Sequence, residues 1–337
     1  MTSDEEFLAF AYRRVLGRSP RDDEVEVSLN RLRSKLASRD ALLMELLTSH
    51  ERDAQLDNAE FVPAGHFYSA VPSRRERDVY LESSSSIPQE MPGIDLRVEQ
   101  QLNLLEELAD FGAHCPFPES ESADWLYHLD NPAYAYADGV TLYAMLRRFR
   151  PRRVIEIGSG YSSCAILDTT RHFLDKGTAL TFIEPHPELL QSRLKDSTAD
   201  YRLVADRAQD VELSHFEALE DGDFLVIDST HVAKLSSDVL RLVFDVLPAL
   251  RPGVFVHFHD IFWPFEYPKR WVGEGRAWNE AYLLRAFLQN NSAFDIVYFY
   301  SYLESLHRER IAASMPLCLK RSGANLWLRT RGDGGDS

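Results

Sequence analysis

The stretch that most constrains this 337-residue chain runs from Arg152 to Ala165, RRVIEIGSGYSSCA. Val154, Ile155 and Ile157 form a β-branched run closed by Pro151 on one side and Gly158-Ser159-Gly160 on the other, the pattern of a buried parallel strand entering a tight turn. Ser162 and Ser163 are good N-cap residues, and Cys164 to Leu167 can begin an amphipathic helix. Strand, glycine turn and helix N-terminus together aim free N–H groups and a positive dipole end at a ligand, while the glycines let its atoms come close. An ordinary βα turn reads the same way, so the neighbourhood has to decide. Glu156 is the first clue, because a carboxylate inside a buried strand is costly without a partner.

From residue 150 onward the chain alternates. Strand-like runs occur at 153–157, 179–184, 201–205, 223–228, 253–259 and 294–300, and helical runs at 162–175, 187–195, 236–250 and 277–290. Such alternation predicts a parallel sheet covered on both faces with right-handed crossovers. A seventh run, Asn325 to Arg329, follows the sixth without an intervening helical pattern, which predicts an antiparallel hairpin. The fold class expected is α/β: a Rossmann-like, seven-stranded, mostly parallel sheet with an antiparallel C-terminal hairpin, preceded by a small all-helical domain.

Residues 1–52 carry helical periodicity only, with Phe7, Phe10, Ala11, Val15 and Leu16 on one face, Gly17 as a stop, and Leu29, Leu32 and Leu36 continuing the pattern. We expect a helical module that docks a partner or a second subunit. Residues 53–125 are polar and proline-broken and read as linker and cap, 126–331 as the main domain, and 332–337 as a disordered tail.

Charge and cysteine narrow the function classes. The formal charge of −16 makes nucleic acid and anionic membranes poor partners. Cys115, Cys164 and Cys318 are scattered in no metal-ligand spacing, the N-terminus is acidic, and no apolar run approaches the ~20 residues of a membrane span. A cytoplasmic protein with a small-molecule substrate is expected.

Open sheets of this kind bind ligands beyond the C-terminal strand ends. Glu184 closes the second strand 26 residues after Gly158, where an acid reaches a ribose. A dinucleotide dehydrogenase would want glycine at 163, which is Ser163, and a second mononucleotide half in place of the terminal hairpin. A cationic sulfonium ligand with an amino-acid tail gives Glu156 a reason to sit where it does.

The motifs EIGSGYSS, FIEP, AQDV, VIDSTH and VHFHDIFWPFEYP, in that order, resemble the class I S-adenosylmethionine-dependent methyltransferases, in the subgroup of small-molecule and sugar O-methyltransferases. The segment around YRRVLGRSP resembles a small helical domain of unknown function found beside enzymes of cell-surface and polysaccharide metabolism. The first resemblance implies that Glu156, Gly158, Ser159, Gly160, Tyr161, Ser162 and Asp228 line the cofactor, that Glu184 binds its ribose and that Gln209 or Asp210 lies near the adenine. Ser162 departs from the third glycine of many members.

Methyl transfer is an in-line displacement that needs an aligned nucleophile relieved of its proton. Candidates cluster after the fourth and fifth strands: Asp228, His231, His259 and Asp260. Two mechanisms fit. His259 or His231 acts as general base, or Asp228, His259 and Asp260 hold a divalent Mg, Mn or Fe ion that acidifies the substrate oxygen. Trp263, Tyr267 and Trp271 are expected to wall an acceptor pocket near Arg276 to Glu280, and His66, Tyr68 and Tyr136 to form a lid. The acceptor would be a saccharide or a phenolic hydroxyl. An NAD(P)-dependent oxidoreductase and a non-catalytic cofactor-binding scaffold are the competing readings.

Overall fold

The computed structural model describes residues 3–16, 18–47, 49, 61–83, 86–174, 177–194 and 200–332. The stop expected at Gly17 and all of the expected tail beyond residue 332 lie outside them. The chain divides into two compact units, Met1–Asp78 and Val79–Ser337.

In the first unit, α1 (Asp4–Leu16), α2 (Asp22–Arg33) and α3 (Arg39–Leu47) close on a small core of Phe7, Leu8, Ala11, Tyr12, Leu16, Leu29 and Leu42. Arg39 ties α3 to α1 through two hydrogen bonds to Asp4 of 2.9 and 2.7 Å. The expected stripe is corrected at two places: Phe10 is 53% exposed, with Leu8 and Tyr12 of α1 buried instead, and Leu36, 78% exposed, lies beyond the end of α2. His66 and Tyr68 belong to this unit, in a turn where their rings lie 5.7 Å apart beside the exposed Phe67.

The second unit is built on one seven-stranded sheet in the order β3-β2-β1-β4-β5-β7-β6. The strands are β1 (Arg153–Ile157), β2 (Ala179–Ile183), β3 (Arg202–Val204), β4 (Phe224–Ile227), β5 (Phe255–His259), β6 (Phe294–Phe299) and β7 (Asn325–Thr330). The first five run parallel, and β7 is antiparallel to both its neighbours. The reversal of order between β1 and β4 makes a crevice at their C-terminal ends, the place where such sheets bind ligands. Core residues of β1, β4 and β5 are almost wholly buried, as strands covered on both faces must be.

Three expectations change. Between β6 and β7 lie helices at Tyr300–Leu306 and Arg308–Ser314 and a 3-10 turn at Pro316–Lys320, so the antiparallel pair is closed by a helical excursion instead of a hairpin turn. The expected helix 236–250 is interrupted: Asp238–Arg241 gives way to a π-helical turn at Leu242–Val246 before Leu247–Ala249. The segment read as linker contains α4 (Val98–Ala113), whose Leu104, Leu105 and Leu108 are buried at helical spacing. Its buried Gln101 donates to Leu96 O at 2.5 Å and accepts from Phe299 N at 2.8 Å, pinning α4 to the end of β6.

A helix α5 (Tyr136–Phe149) precedes β1, and α6 (Tyr161–Phe173) follows it. The helix α6 therefore begins at Tyr161 with Gly160 as its cap residue, and Ser162 and Ser163 fall inside it. Ser163 nevertheless serves the helix end, since its Oγ accepts from Gly160 N at 3.0 Å.

Candidate active site

The turn after β1 is shaped by what it must pass. Gly158 has φ +81°, and a Cβ there would stand 2.1 Å from the carbonyl oxygen of Asp228. Only glycine meets both demands, so β1 and β4 end side by side with their backbones in close approach. Ser163 Oγ also donates to Glu156 Oε2, while Glu156 Oε1 is buried with no hydrogen-bond partner. Burial pushes the Glu156 carboxyl up to about 8 despite hydrogen bonds from Ser162 and Ser163. Glu184, just past β2, accepts from Ser159 N at 3.1 Å and from His186 N at 2.8 Å, bracing the outer side of the same turn. Gln209 turns elsewhere, donating to Ser236 O at 3.0 Å, and Asp210 pairs with Arg207 at 2.6 Å.

The ends of β4 and β5 carry the titratable groups. Because Ile227 pairs with Phe258, the next residues, Asp228 and His259, stand beside each other, with Asp228 Oδ1 3.3 Å from His259 Nδ1. His231 Nε2 comes within 3.5 Å of Asp228 and 3.7 Å of Asp260. Each imidazole has a further carboxylate behind it. Glu280 Oε2 holds His231 Nδ1 at 2.8 Å, and Asp138 Oδ2 lies 3.5 Å from His259 Nε2. Those carboxylates are themselves fixed: Glu280 accepts from Ser229 Oγ at 2.8 Å, and Asp138 accepts from Ala324 N and Asn325 Nδ2, both at 2.9 Å. His231 and Asp260 both have φ +59°, a left-handed conformation that costs L-residues roughly 1–2 kcal/mol each.

The charges reinforce one another. Burial would lower His231, but Asp228 and Glu280 push it up to about 10. Burial likewise opposes the charged form of His259, and Asp260, Asp228 and Asp138 overcome it, holding the imidazole well above its usual range. Burial would raise Asp228, yet the two imidazoles hold it well below the usual carboxylate range. Asp260 is raised by burial, with partial relief from the imidazoles. His257, deeper in β5, is pushed down to about 3 by burial and by His259, so it stays neutral and meets Tyr134 Oη through Nε2 at 3.2 Å.

This cluster floors a cavity of about 720 Å3. It is also lined by Trp271, Trp278, Arg270, Arg276, Ala133, Arg321 and Ser322. Of the three aromatics expected to wall a pocket, Trp271 is in this lining. Trp263 and Tyr267 are not: Trp263 is 7% exposed, packs edge-on against Phe299 and Tyr302, and donates Nε1 to Pro88 O at 2.9 Å. Tyr267 is buried with its hydroxyl accepting from Ala281 N at 3.1 Å. Tyr136 is also buried, its hydroxyl donating to Glu119 at 2.5 Å. These rings are core because the chain around them is fully packed, and aromatic richness alone does not tell a wall from a core.

Among the described residues no group of three or more His, Cys, Asp or Glu side chains is placed to hold a metal ion. Asp228 lies 3.3 Å from His259 Nδ1 and Asp260 3.7 Å from His259 Nε2, so the two carboxylates address opposite nitrogens of one ring, and the side chains as arranged do not fit the expected metal set of Asp228, His259 and Asp260. Two residues of the cluster were not singled out for chemistry in the sequence. Asp138 and Glu280 are acids in the first turns of helices, where a capping role is the ordinary explanation, and only the fold brings them behind the imidazoles.

Residues 155–261 match a family model described as a methyltransferase domain. A protein of Archaeoglobus fulgidus described as uncharacterized is 32% identical over 169 residues, which cover 47% of this chain and 74% of that one. Among solved structures, the O-methyltransferase TomG from Streptomyces achromogenes in complex with SAM has 16% identity over 77% of this chain and 100% of its own, with a TM-score of 0.38. The SAH-bound Podospora anserina methyltransferase PaMTH1 has 15% identity over 81% and 100%, with a TM-score of 0.39.

Proposed function

The chain belongs to the methyltransferase family whose domain spans residues 155–261, and from that premise we propose that it moves a methyl group from S-adenosylmethionine to a hydroxyl of a small polar acceptor. The observation that carries the acceptor side is the pair of carboxylate–imidazole couples, Glu280–His231 and Asp138–His259, meeting around Asp228 on the floor of one cavity.

The cofactor seat is supported by chemistry that the turn leaves unmet. Glu156 Oε1 is a buried acceptor without a donor, and an ammonium group of the cofactor's amino-acid end would supply one. Glycine at 158 lets the turn after that residue pass against the backbone of Asp228, so the ends of β1 and β4 meet at the seat. Glu184, whose two oxygens also accept from backbone N–H groups, is set to receive ribose hydroxyls.

His231 is the general base in this reading. Its hydrogen bond from Nδ1 to Glu280 fixes the tautomer, so in the neutral ring Nε2 is the acceptor and faces Asp228, Asp260 and the cavity. The proton of the acceptor hydroxyl passes to Nε2, the oxygen attacks the sulfonium methyl in line, and the thioether leaves. His259, held between Asp138, Asp228 and Asp260, stays charged and offsets the negative charge that builds on the acceptor oxygen. A sulfonium ion arriving beside the cluster disfavours the second imidazolium and so releases His231 to act.

Titration calorimetry with S-adenosylhomocysteine and with NADH tests the cofactor: binding of NADH alone would overturn the reading in favour of an oxidoreductase. Dialysis against EDTA tests the proton step, with turnover expected to survive. A loss of turnover restored by Mn2+ or Mg2+ would show that Asp228 and Asp260 act as ligands instead.

A further inference from the structure

We propose that the acceptor taken by this cavity bears an anionic group, a carboxylate or a phosphate, held by Arg321 and Arg276 of the cavity lining. The inference rests on the methyl-transfer reading of the floor and adds the substrate class.

The charge distribution carries it. On the floor, four carboxylates lie against two imidazoles at ion-pair distances, so the carboxylates there outnumber the imidazoles by two. Elsewhere in the lining the balance differs. Arg270, Arg276 and Arg321 belong to it, and the carboxylate that meets the first two is Glu274, which accepts from Arg270 Nε at 2.9 Å and from Arg276 Nε at 3.1 Å. Three guanidiniums to one carboxylate leave the arginine-lined part of the cavity positive beside a floor with carboxylates in excess, so an anionic group is drawn to the arginines and kept off the floor.

The two proposed contacts are held ready. Arg276 stacks with its guanidinium carbon 4.5 Å from the Trp271 ring centre and 4.8 Å from that of Trp278, and Trp278 in turn lies 4.4 Å from His231. A guanidinium held against two indoles and by Glu274 is fixed in position, and its remaining N–H groups can meet a carboxylate or a phosphate edge. Arg321 donates Nη1 to Asn131 O at 2.8 Å and Nη2 to Pro132 O at 3.4 Å, and it pairs with no carboxylate among the described residues. Backbone carbonyls orient its guanidinium and leave its charge without an opposite one. The volume of about 720 Å3 suits a molecule of sugar-phosphate or uronate size with room for the methyl donor's sulfur end.

The test uses the full chain, free and loaded with S-adenosylhomocysteine, titrated with glucuronate, glucose 6-phosphate and glucose. At least one anionic ligand should bind on the order of tenfold tighter than glucose, as expected for a charge-assisted contact, and the margin should shrink in 0.5 M NaCl. Arg321→Ala should bring the anion-to-glucose ratio toward one, and Arg321→Lys should restore part of it. Both anions binding no tighter than glucose, or a ratio untouched by both Arg321→Ala and Arg276→Ala, would overturn the proposal. Failure of S-adenosylhomocysteine to bind would instead sink the methyl-transfer reading, and the titrations of the free chain would still score the anion preference.

Discussion

At the scale of single residues, the site is a matter of which proton sits where. His231 is held at about 10 by Asp228 and Glu280 against the opposing pull of burial. In the proposed role of general base it works when neutral, so kcat/KM should climb on the alkaline side of neutrality and level off as pH passes that value. Glu280→Gln removes one of the two carboxylates, so the limb should move to lower pH and the plateau should fall by on the order of 100-fold. A limb that stays in place would remove His231 from the proton step. The same raised value bears on stability: the folded state binds the His231 proton more tightly than the unfolded chain, so this contribution is complete below ~6.5 and is lost as pH rises through about 10. Glu156 behaves in the opposite chemical sense. Burial pushes it up to about 8, so it is mostly protonated at pH 7, and a ligand ammonium would favour the carboxylate. Binding of S-adenosylhomocysteine at pH 7 should then release close to one proton, visible as a buffer-dependent heat in calorimetry. Glu156→Gln should abolish that dependence, and a wild-type heat independent of buffer would contradict the seat assigned to the amino group.

At the scale of elements, the decisive contact is between the exits of β1 and β4. An alanine at Gly158 would need a positive φ and would place its Cβ 2.1 Å from Asp228 O, so the two strand ends would have to part. The strain and the overpacking together should cost ~2–5 kcal/mol. Gly158→Ala should therefore lower Tm by several degrees and lose S-adenosylhomocysteine binding, whereas an unchanged Tm would mean the turn has slack that the close approach denies. Much of this layer was legible in the sequence, because a βα turn is local: the β-branched run, the glycines and Glu156 all lie within a few residues of one another. Helix α4 was legible too in Leu104, Leu105 and Leu108, but the prolines and serines around it masked a periodicity that packing against β6 makes real. What local pattern does not carry is neighbourhood. Asp138 and Glu280 read as helix-start acids, Trp263 and Tyr267 read as pocket walls, and only long-range pairing sends the first two to the imidazoles and the others into the core.

For the whole molecule, each unit has an apolar core of its own: one formed by residues between Phe7 and Leu42, the other by residues between Met91 and Leu328. All members of the cavity, the turn and the charged cluster belong to the second. A chain starting at Val79 should consequently unfold cooperatively and bind S-adenosylhomocysteine within about twofold of full-length protein, and loss of binding would assign the first unit a share in the site. The order of the sheet has a further consequence during synthesis. Strand β7 is the last to be translated, yet it sits between β5 and β6, and Ala324 and Asn325 at its start hold the Asp138 that backs His259. Until the ribosome has released residues 324–330, β5 and β6 each keep an unfilled edge and His259 lacks its fixed carboxylate. A nascent or prematurely terminated chain thus reaches the glycine turn and Asp228 without a finished charge cluster, and the arrangement proposed for catalysis exists only once the chain extends through β7.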